Sequence, residues 1–186
     1  MATLHYTITF HSYWHCGSGL AAGADVDALV VKDKNRLPFV PGKTMKGLVR
    51  EALENILALN KTNKKDAVDK AFGYFDDKDD MSKGCMFFTN AELDENEQKA
   101  IISHKYQKHM YEGVSSTAID KDGIACDHSL RRVEVTVPCV LHGCIKDVPQ
   151  ELSEDVLNAL KMIKRMGVNR NRGLGRCTIE GKEEQI

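Results

Sequence analysis

The hydrophobic positions of this chain follow two periodicities, and each predicts a different kind of element. Residues 3 to 11 alternate apolar and polar side chains, which predicts a half-buried strand. Residues 44 to 59 place apolar side chains at three- and four-residue spacing, which is typical of an amphipathic helix, and residues 153 to 166 repeat the pattern. Apolar runs at residues 85 to 92 and 130 to 145 predict further strands, the second of them broken at Pro138.

The order of these elements predicts the fold class. Strand, helix, strand, strands, helix, loop and final strand correspond to an α+β, ferredoxin-like (RRM-like) domain with inserted loops and an extra hairpin. A length of 186 residues favours a single domain spanning 1 to 186. The polar stretch of residues 60 to 83 is predicted to be an insertion with a short helix near 64 to 72, and residues 94 to 112 to be helical or irregular. Asp120-Lys-Asp-Gly123 predicts a hairpin tip.

Bulk charge alone does not indicate a nucleic-acid binder, because 26 basic and 27 acidic residues give a formal net charge of −1. The two signs are segregated, however. Acidic residues concentrate at 76 to 80 and 92 to 97, whereas six basic residues between Lys161 and Arg176 follow one another without a carboxylate. We therefore expect a local basic surface, since a phosphate backbone responds to the local potential.

Two segments are candidates for phosphate binding. Residues 167 to 177 set three arginines among three glycines after a basic helix, and glycine permits close backbone approach while arginine matches phosphate oxygens. The alternative is an ordinary helix C-cap and turn with solvated arginines. The second segment is the predicted helix start, where Thr44 is a plausible N-cap. Leu37 stands where a nucleotide-binding P-loop needs glycine, which excludes that motif. The candidate residues are Lys43, Thr44, Lys46, Arg50, Gly167, Asn169, Arg170, Arg172, Gly173, Gly175 and Arg176.

The six cysteines lack the dense pairing of a disulfide scaffold and are expected to be reduced. Cys139, His142 and Cys144 come closest to a metal motif, but on one strand Cys139 would point away from the other two, so structural zinc is not expected. The chain has no apolar run of membrane-spanning length, and its beginning lacks a secretion-signal layout. These observations predict a cytoplasmic protein without a membrane partner.

Several segments in order resemble the RAMP superfamily of CRISPR-associated proteins. Leu37-Pro-Phe-Val-Pro-Gly-Lys-Thr-Met-Lys-Gly-Leu-Val-Arg50 is similar to its first signature, although Lys43 and Thr44 stand where the family more often has serines. The strand after residue 85, the run from Ser129 to Glu134 and the glycine-rich loop match later family segments. The resemblance covers about three quarters of the chain, without 60 to 83 and much of 94 to 112, and is closest to the repeating backbone subunit of type III (Csm/Cmr) effector complexes.

The resemblance implies an RRM-like core that assembles with copies of itself and other CRISPR effector subunits along crRNA, opposite single-stranded target RNA. It also implies a hairpin "thumb" that flips bases of the guide–target duplex. This thumb corresponds to residues 107 to 128, where Tyr111 or Ile119 is the candidate wedge. An ordinary exposed hairpin is the alternative.

In catalytic members an aspartate lies in the loop that here ends at Asp27, with Asp25 and Asp33 nearby. The resemblance implies cleavage of target RNA with Mg²⁺ (or Mn²⁺), Asp27 serving as catalytic residue and metal ligand while a ribose 2′-hydroxyl attacks the phosphate. Asp27 could instead cap a turn in a purely structural member. A third possibility is a metal-independent guide-processing ribonuclease using His11 or His15, with Trp14 stacking on a base or lying in the core.

Overall fold

The computed structural model describes residues 1–21, 26–75 and 81–184, so Asp25 and the acidic run at 76–80 lie outside the described residues. The elements in chain order are β1 (Ala2–Phe10), α1 (Gly42–Leu59), α2 (Lys65–Phe72), β2 (Gly73–Phe75), β3 (Met81–Lys83), β4 (Phe87–Phe88), α3 (Glu95–Ser103), β5 (Tyr111–Ser116), β6 (Arg131–Thr136), β7 (Val140–Val148), α4 (Ser153–Met162) and β8 (Cys177–Glu183).

The main sheet has the strand order β4-β7-β1-β8 and is antiparallel throughout. With α1 after β1 and α4 after β7, these elements form the βαββαβ unit in which the first and third strands are central, which confirms the predicted ferredoxin-like class. The alternation of β1 has the expected consequence. Leu4, Tyr6, Ile8 and Phe10 are all buried and form one core with the apolar faces of α1 and α4.

Three predicted boundaries differ from the structure because backbone partners decide them. Thr44 is not an N-cap, since α1 already begins at Gly42, whose N–H donates to Asn90 Oδ1 at 3.1 Å. The second predicted helix ends at Met162 rather than 166. The predicted strand 85 to 92 pairs regularly only at Phe87–Phe88, and Ala91 and Glu92 form isolated bridges instead. Strand and helix lengths are the part of the pattern that tertiary contacts override.

The hairpin of β5 and β6 stands outside the main sheet and pairs from Tyr111↔Thr136 to Ser116↔Arg131. The predicted thumb range of 107 to 128 therefore contains the first strand, a preceding 3-10 turn at 107–110 and the tip, but not the second strand. At the tip, Asp120 Oδ1 accepts hydrogen bonds from the N–H groups of Asp122 and Ile124, which fixes the predicted turn.

The start of α1 packs so closely on β4 that position 42 has no room for a side chain. A Cβ atom on Gly42 would collide with the carbonyl oxygen of Phe88 and lie 2.9 Å from that of Thr89. We expect Gly42→Ala to lower the free energy of unfolding by about 1–3 kcal/mol, because the helix must move off the strand. Gly47→Ala is the control, since nothing lies within 4 Å of that Cβ, and it should stabilise the protein by about 0.5–1 kcal/mol. Urea unfolding distinguishes the two, and equal effects would contradict this packing.

Candidate nucleic-acid interface

The glycine-rich loop at 167–177 packs against the loop that follows β1. Gly167 has a φ of 88°, and a Cβ there would collide with the carbonyl oxygen of His15. Val168 N donates to His15 O at 3.0 Å, and Gly175 N donates to Tyr13 O at 2.7 Å. Gly167 is therefore required where the two loops meet, whereas Gly175, with a φ of 70°, has no room for a Cβ beside the Met166 carbonyl oxygen. Backbone hydrogen bonds hold the loop in one shape. The sequence predicted the glycines as a ligand cradle, but Gly167 and Gly175 first serve the packing of the loop.

The loop nonetheless presents a cationic surface. Asn169 adopts a left-handed conformation with a φ of 57°, and the single 3-10 turn after it runs from Arg170 to Arg172. Arg170, Arg172 and Arg176 are exposed, and within the described ranges none of their guanidinium groups forms an ion pair. A rigid backbone with unpaired arginines can bind an anionic chain without prior reorganisation.

The predicted basic set on α1 divides into two parts. Lys43 is exposed at the start of the helix, and Thr44 lies beside the Cys16 thiol, whose pKa is raised by burial although Thr44 and Lys43 oppose that shift. Lys46 is half-buried. Arg50 does not belong with them: its guanidinium contacts Glu54 Oε1 at 2.8 Å, the Gly73 carbonyl at 2.8 Å and Asp69 Oδ1 at 3.3 Å. Arg50 therefore joins α1 to α2, a role that its sequence position alone did not reveal.

Asp27 lies exposed at the base of the β5–β6 hairpin. Its Oδ2 accepts a hydrogen bond from Arg132 N at 2.7 Å, and its own N–H donates to Arg132 O at 2.8 Å. Oδ1 has no hydrogen-bond donor among the described residues. By contrast, Asp33 Oδ1 accepts from the N–H groups of Asn35 and Leu37 and simply holds a turn. Each aspartate thus keeps one oxygen without a hydrogen-bond donor among the described residues, and the two differ in exposure, since Asp27 is exposed whereas Asp33 is half-buried.

A partly buried ion pair holds the segment after Asp27 against β6. Glu134 Oε1 accepts from Lys32 Nζ at 2.7 Å, and Oε2 accepts from Val30 N at 3.1 Å. The Lys32 ammonium also lies 4.1 Å from the centre of the Tyr111 ring. Sequence reasoning did not single out Lys32 or Glu134, although a glutamate within the apolar alternation of residues 131 to 136 was a signal of a paired charge.

The two candidate wedge residues have different surroundings. The Tyr111 hydroxyl donates to the carbonyl oxygen of Arg36 at 2.9 Å, and burial raises the pKa of this tyrosine. Its side chain thus fixes the base of the hairpin rather than projecting from it. Ile119 lies at the tip and is 66% exposed, in the company of Ile124 and Leu130. Of the two, only Ile119 is free to insert between bases.

The residues of the metal-independent alternative differ in exposure, since His11 is exposed and His15 is buried. His15 is 2% exposed and its Nδ1 lies 2.6 Å from the carbonyl oxygen of Glu134, whereas His11 Nε2 lies 2.8 Å from Thr178 Oγ1. Trp14 is buried and stacks on Phe10 with ring centres 4.3 Å apart, so it belongs to the core and is not available to stack on a base. The two histidines therefore do not form an accessible acid–base pair.

Metal-ligand chemistry is limited in the described part of the chain. No group of three or more His, Cys, Asp or Glu side chains is placed to hold an ion there. Burial raises the pKa of Cys139 to about 12 and that of Cys177 to about 11, which keeps both thiols protonated. Asp27 offers a single outward oxygen. This fits Mg²⁺ only in the manner usual for phosphate substrates, with one protein carboxylate, several waters and the phosphate itself as ligands.

Among the described residues, no helix has the length and apolar character that a bilayer crossing requires.

The βαββαβ sheet, the basic glycine-rich loop and the separate hairpin define a ferredoxin-like domain with an inserted hairpin. The RAMP superfamily model matches residues 7–178, and the chain belongs to this superfamily. Among solved structures, a chain of the Type III-B Cmr-beta complex bound to cognate target RNA is similar, with a TM-score of 0.68, 11% identity and 97% coverage of both chains. A chain of the apo state of Type III-B Cmr-beta is similar with a TM-score of 0.71, 12% identity and 97% coverage of both. These identities establish a shared fold. No curated protein sequence matches the chain.

Proposed function

We propose that this chain is a repeating backbone subunit of a type III CRISPR effector complex, which binds crRNA and cleaves complementary target RNA. Membership of the RAMP superfamily and the fold shared with chains of Type III-B Cmr-beta support the assembly. The observation that carries the catalytic part is the Asp27 carboxylate, exposed and anchored through one oxygen to β6 while the other oxygen stays open. Guide binding is assigned to the surface formed by Lys43, Lys46, Arg170, Arg172 and Arg176.

The chemistry follows from what Asp27 can do. Its open oxygen can accept the proton of the ribose 2′-hydroxyl as that oxygen attacks the adjacent phosphorus, and the bond to the 5′-oxygen then breaks. The 5′-oxygen takes up a proton from solvent water as it leaves, so the products are a 2′,3′-cyclic phosphate and a 5′-hydroxyl. In the alternative role, the same oxygen would be a ligand of Mg²⁺, which would neutralise charge on the phosphate oxygens, and Asp27 would then not take the proton. The anchoring of Asp27 by Arg132, and of the following segment by Glu134, keeps the carboxylate in place before substrate arrives.

A structural subunit that binds guide RNA without cutting target RNA is the second candidate. The exposed arginines of the glycine-rich loop support it as well as they support the catalytic subunit, because both candidates bind guide RNA. Purification of the native complex followed by sequencing of its RNA tests both candidates, because each expects guide-sized CRISPR transcripts. Cleavage of a complementary RNA that stops with EDTA then selects the catalytic subunit. Absence of bound RNA from the intact complex would contradict both.

A further inference from the structure

The face of the hairpin base beside Asp27 contains an open groove of about 820 Å³ that is distinct from the glycine-rich loop. Its walls come from the turn at residues 32–36, the connection after α3 and the two hairpin strands. We call it the basic groove because five cations line it in addition to Lys32: Lys34, Arg36, Lys105, Lys108 and Arg132. We propose that the basic groove binds the sugar-phosphate backbone of the target RNA strand next to its cleavage point. This inference rests on the proposed function.

The charge in the groove is unbalanced. Across the described ranges, none of the five cations forms an ion pair. Of the two acidic residues in the lining, Glu134 is paired with Lys32 at 2.7 Å, whereas Glu112 accepts from the neutral Tyr13 hydroxyl at 3.1 Å and keeps its charge, so the cations still outnumber the carboxylates. The remaining positive charge is available for a polyanion, and an open groove suits a strand better than a single nucleotide.

The shape of the groove is preformed. A Cβ on Gly113 would collide with Arg132 Nε and lie 2.8 Å from Nη2, so the absence of a side chain there lets the guanidinium lie across β5. Tyr111 ties the opposite wall to the hairpin through the Arg36 carbonyl at 2.9 Å. Arg36 and Lys105 both have left-handed backbones, with φ values of 63° and 58°, a conformation that non-glycine residues adopt rarely. Fixed walls lower the entropy cost of holding a flexible strand.

The groove lies beside Asp27, which favours the target strand over the guide as its ligand. Val26, directly before Asp27, lines the groove, and Arg132 both lines it and donates its N–H to the Asp27 carboxylate at 2.7 Å. Tyr13 connects the groove to the glycine-rich loop, since its carbonyl accepts from Gly175 N at 2.7 Å while its hydroxyl donates to Glu112 at 3.1 Å. A strand in the groove therefore passes Asp27, and the strand that passes Asp27 is the one to be cut.

The double substitution Lys34→Gln and Lys108→Gln in the assembled, guide-loaded complex tests this inference. Both side chains are exposed and neither lies in the proposed catalytic or guide-binding machinery. We expect target RNA to bind at least about tenfold more weakly at physiological salt, with the salt slope reduced by about 1.4 for each copy of the subunit that contacts the target, since each phosphate contact to a single strand contributes about 0.7. Lys65→Gln with Lys70→Gln on α2 makes the same charge change as the control and should leave binding unchanged.

The outcomes separate this inference from the proposed function. If the unsubstituted complex carries guide and cuts target, but the Lys34/Lys108 variant binds target with unchanged affinity and salt slope, the groove assignment is overturned while the function stands. Loss of guide RNA or of a protein subunit from the variant complex, with normal target affinity in the fraction that stays intact, would assign the groove to that partner and likewise overturn it. An unsubstituted complex without guide or target binding would remove the function and the inference together.

Discussion

Asp27→Asn should abolish target cleavage, lowering the rate by about 10²–10⁴-fold, while the complex retains its guide and its affinity for target. The amide oxygen of asparagine can still accept the hydrogen bond from Arg132 N, which is 2.7 Å long in the native protein, so the loop keeps its anchor. What disappears is the negative charge that can take a proton or hold Mg²⁺, and a positioned general base contributes about this magnitude. Single-turnover cleavage of a labelled complementary RNA measures the effect.

Asp33→Asn is the matched control, because an amide oxygen can also accept the two turn hydrogen bonds that Asp33 Oδ1 receives. It should cut at the native rate. Comparing Asp27→Asn with Asp27→Ala separates the loss of the negative charge from the loss of the anchor. Only alanine removes the hydrogen bond that the side chain at position 27 accepts from Arg132 N. Native cleavage by Asp27→Asn would exclude Asp27 from the mechanism and favour the structural subunit.

The fold could be predicted from the sequence because its signals are local. The alternation of residues 3 to 11 places four apolar side chains on one face of β1, and all four are buried. The order of strands and helices then leaves few topologies for a sheet of this size, and the observed one is the predicted one. Boundaries such as the start of α1 escaped prediction, because Asn90 holds the Gly42 N–H from a distant part of the chain.

The candidate site was predictable only where one segment carries it. The arginines of the glycine-rich loop are adjacent in sequence and remain together on one surface. The contacts around Asp27 are not local: Arg132 and Glu134 reach its loop across about a hundred residues. Arg50 was predicted to bind phosphate because it lies on the same helix as Lys43 and Lys46. In the structure its charge is neutralised by Glu54 and by Asp69 of the insertion. Periodicity specifies a face but not which partner covers it.

The three loop arginines raise the remaining question, which is whether the glycine-rich loop binds RNA or merely ends a helix. Its glycines do not decide between these roles, because Gly167 is required beside the His15 carbonyl oxygen and Gly175 beside the Met166 carbonyl oxygen in both cases. The guanidinium groups are exposed and make no ion pair among the described residues, which fits both roles, so the effect of removing them distinguishes the two. Removing them should leave folding unchanged, as surface substitutions away from special contacts cost about 0.5 kcal/mol or less.

The triple variant Arg170→Gln, Arg172→Gln and Arg176→Gln should therefore lower guide affinity by about a hundredfold at physiological salt, with the salt slope reduced by about 2 for three lost phosphate contacts. Filter binding of crRNA over a salt series measures both quantities. Gln at Lys65, Lys70 and Lys99 is the control with the same charge change on α2 and α3, and it should bind as the native chain does. Because phosphate contacts carry no sequence information, the loss should be equal for guides of different sequence. Equal affinity in both triple variants would make the loop an ordinary turn and leave guide binding to other surfaces.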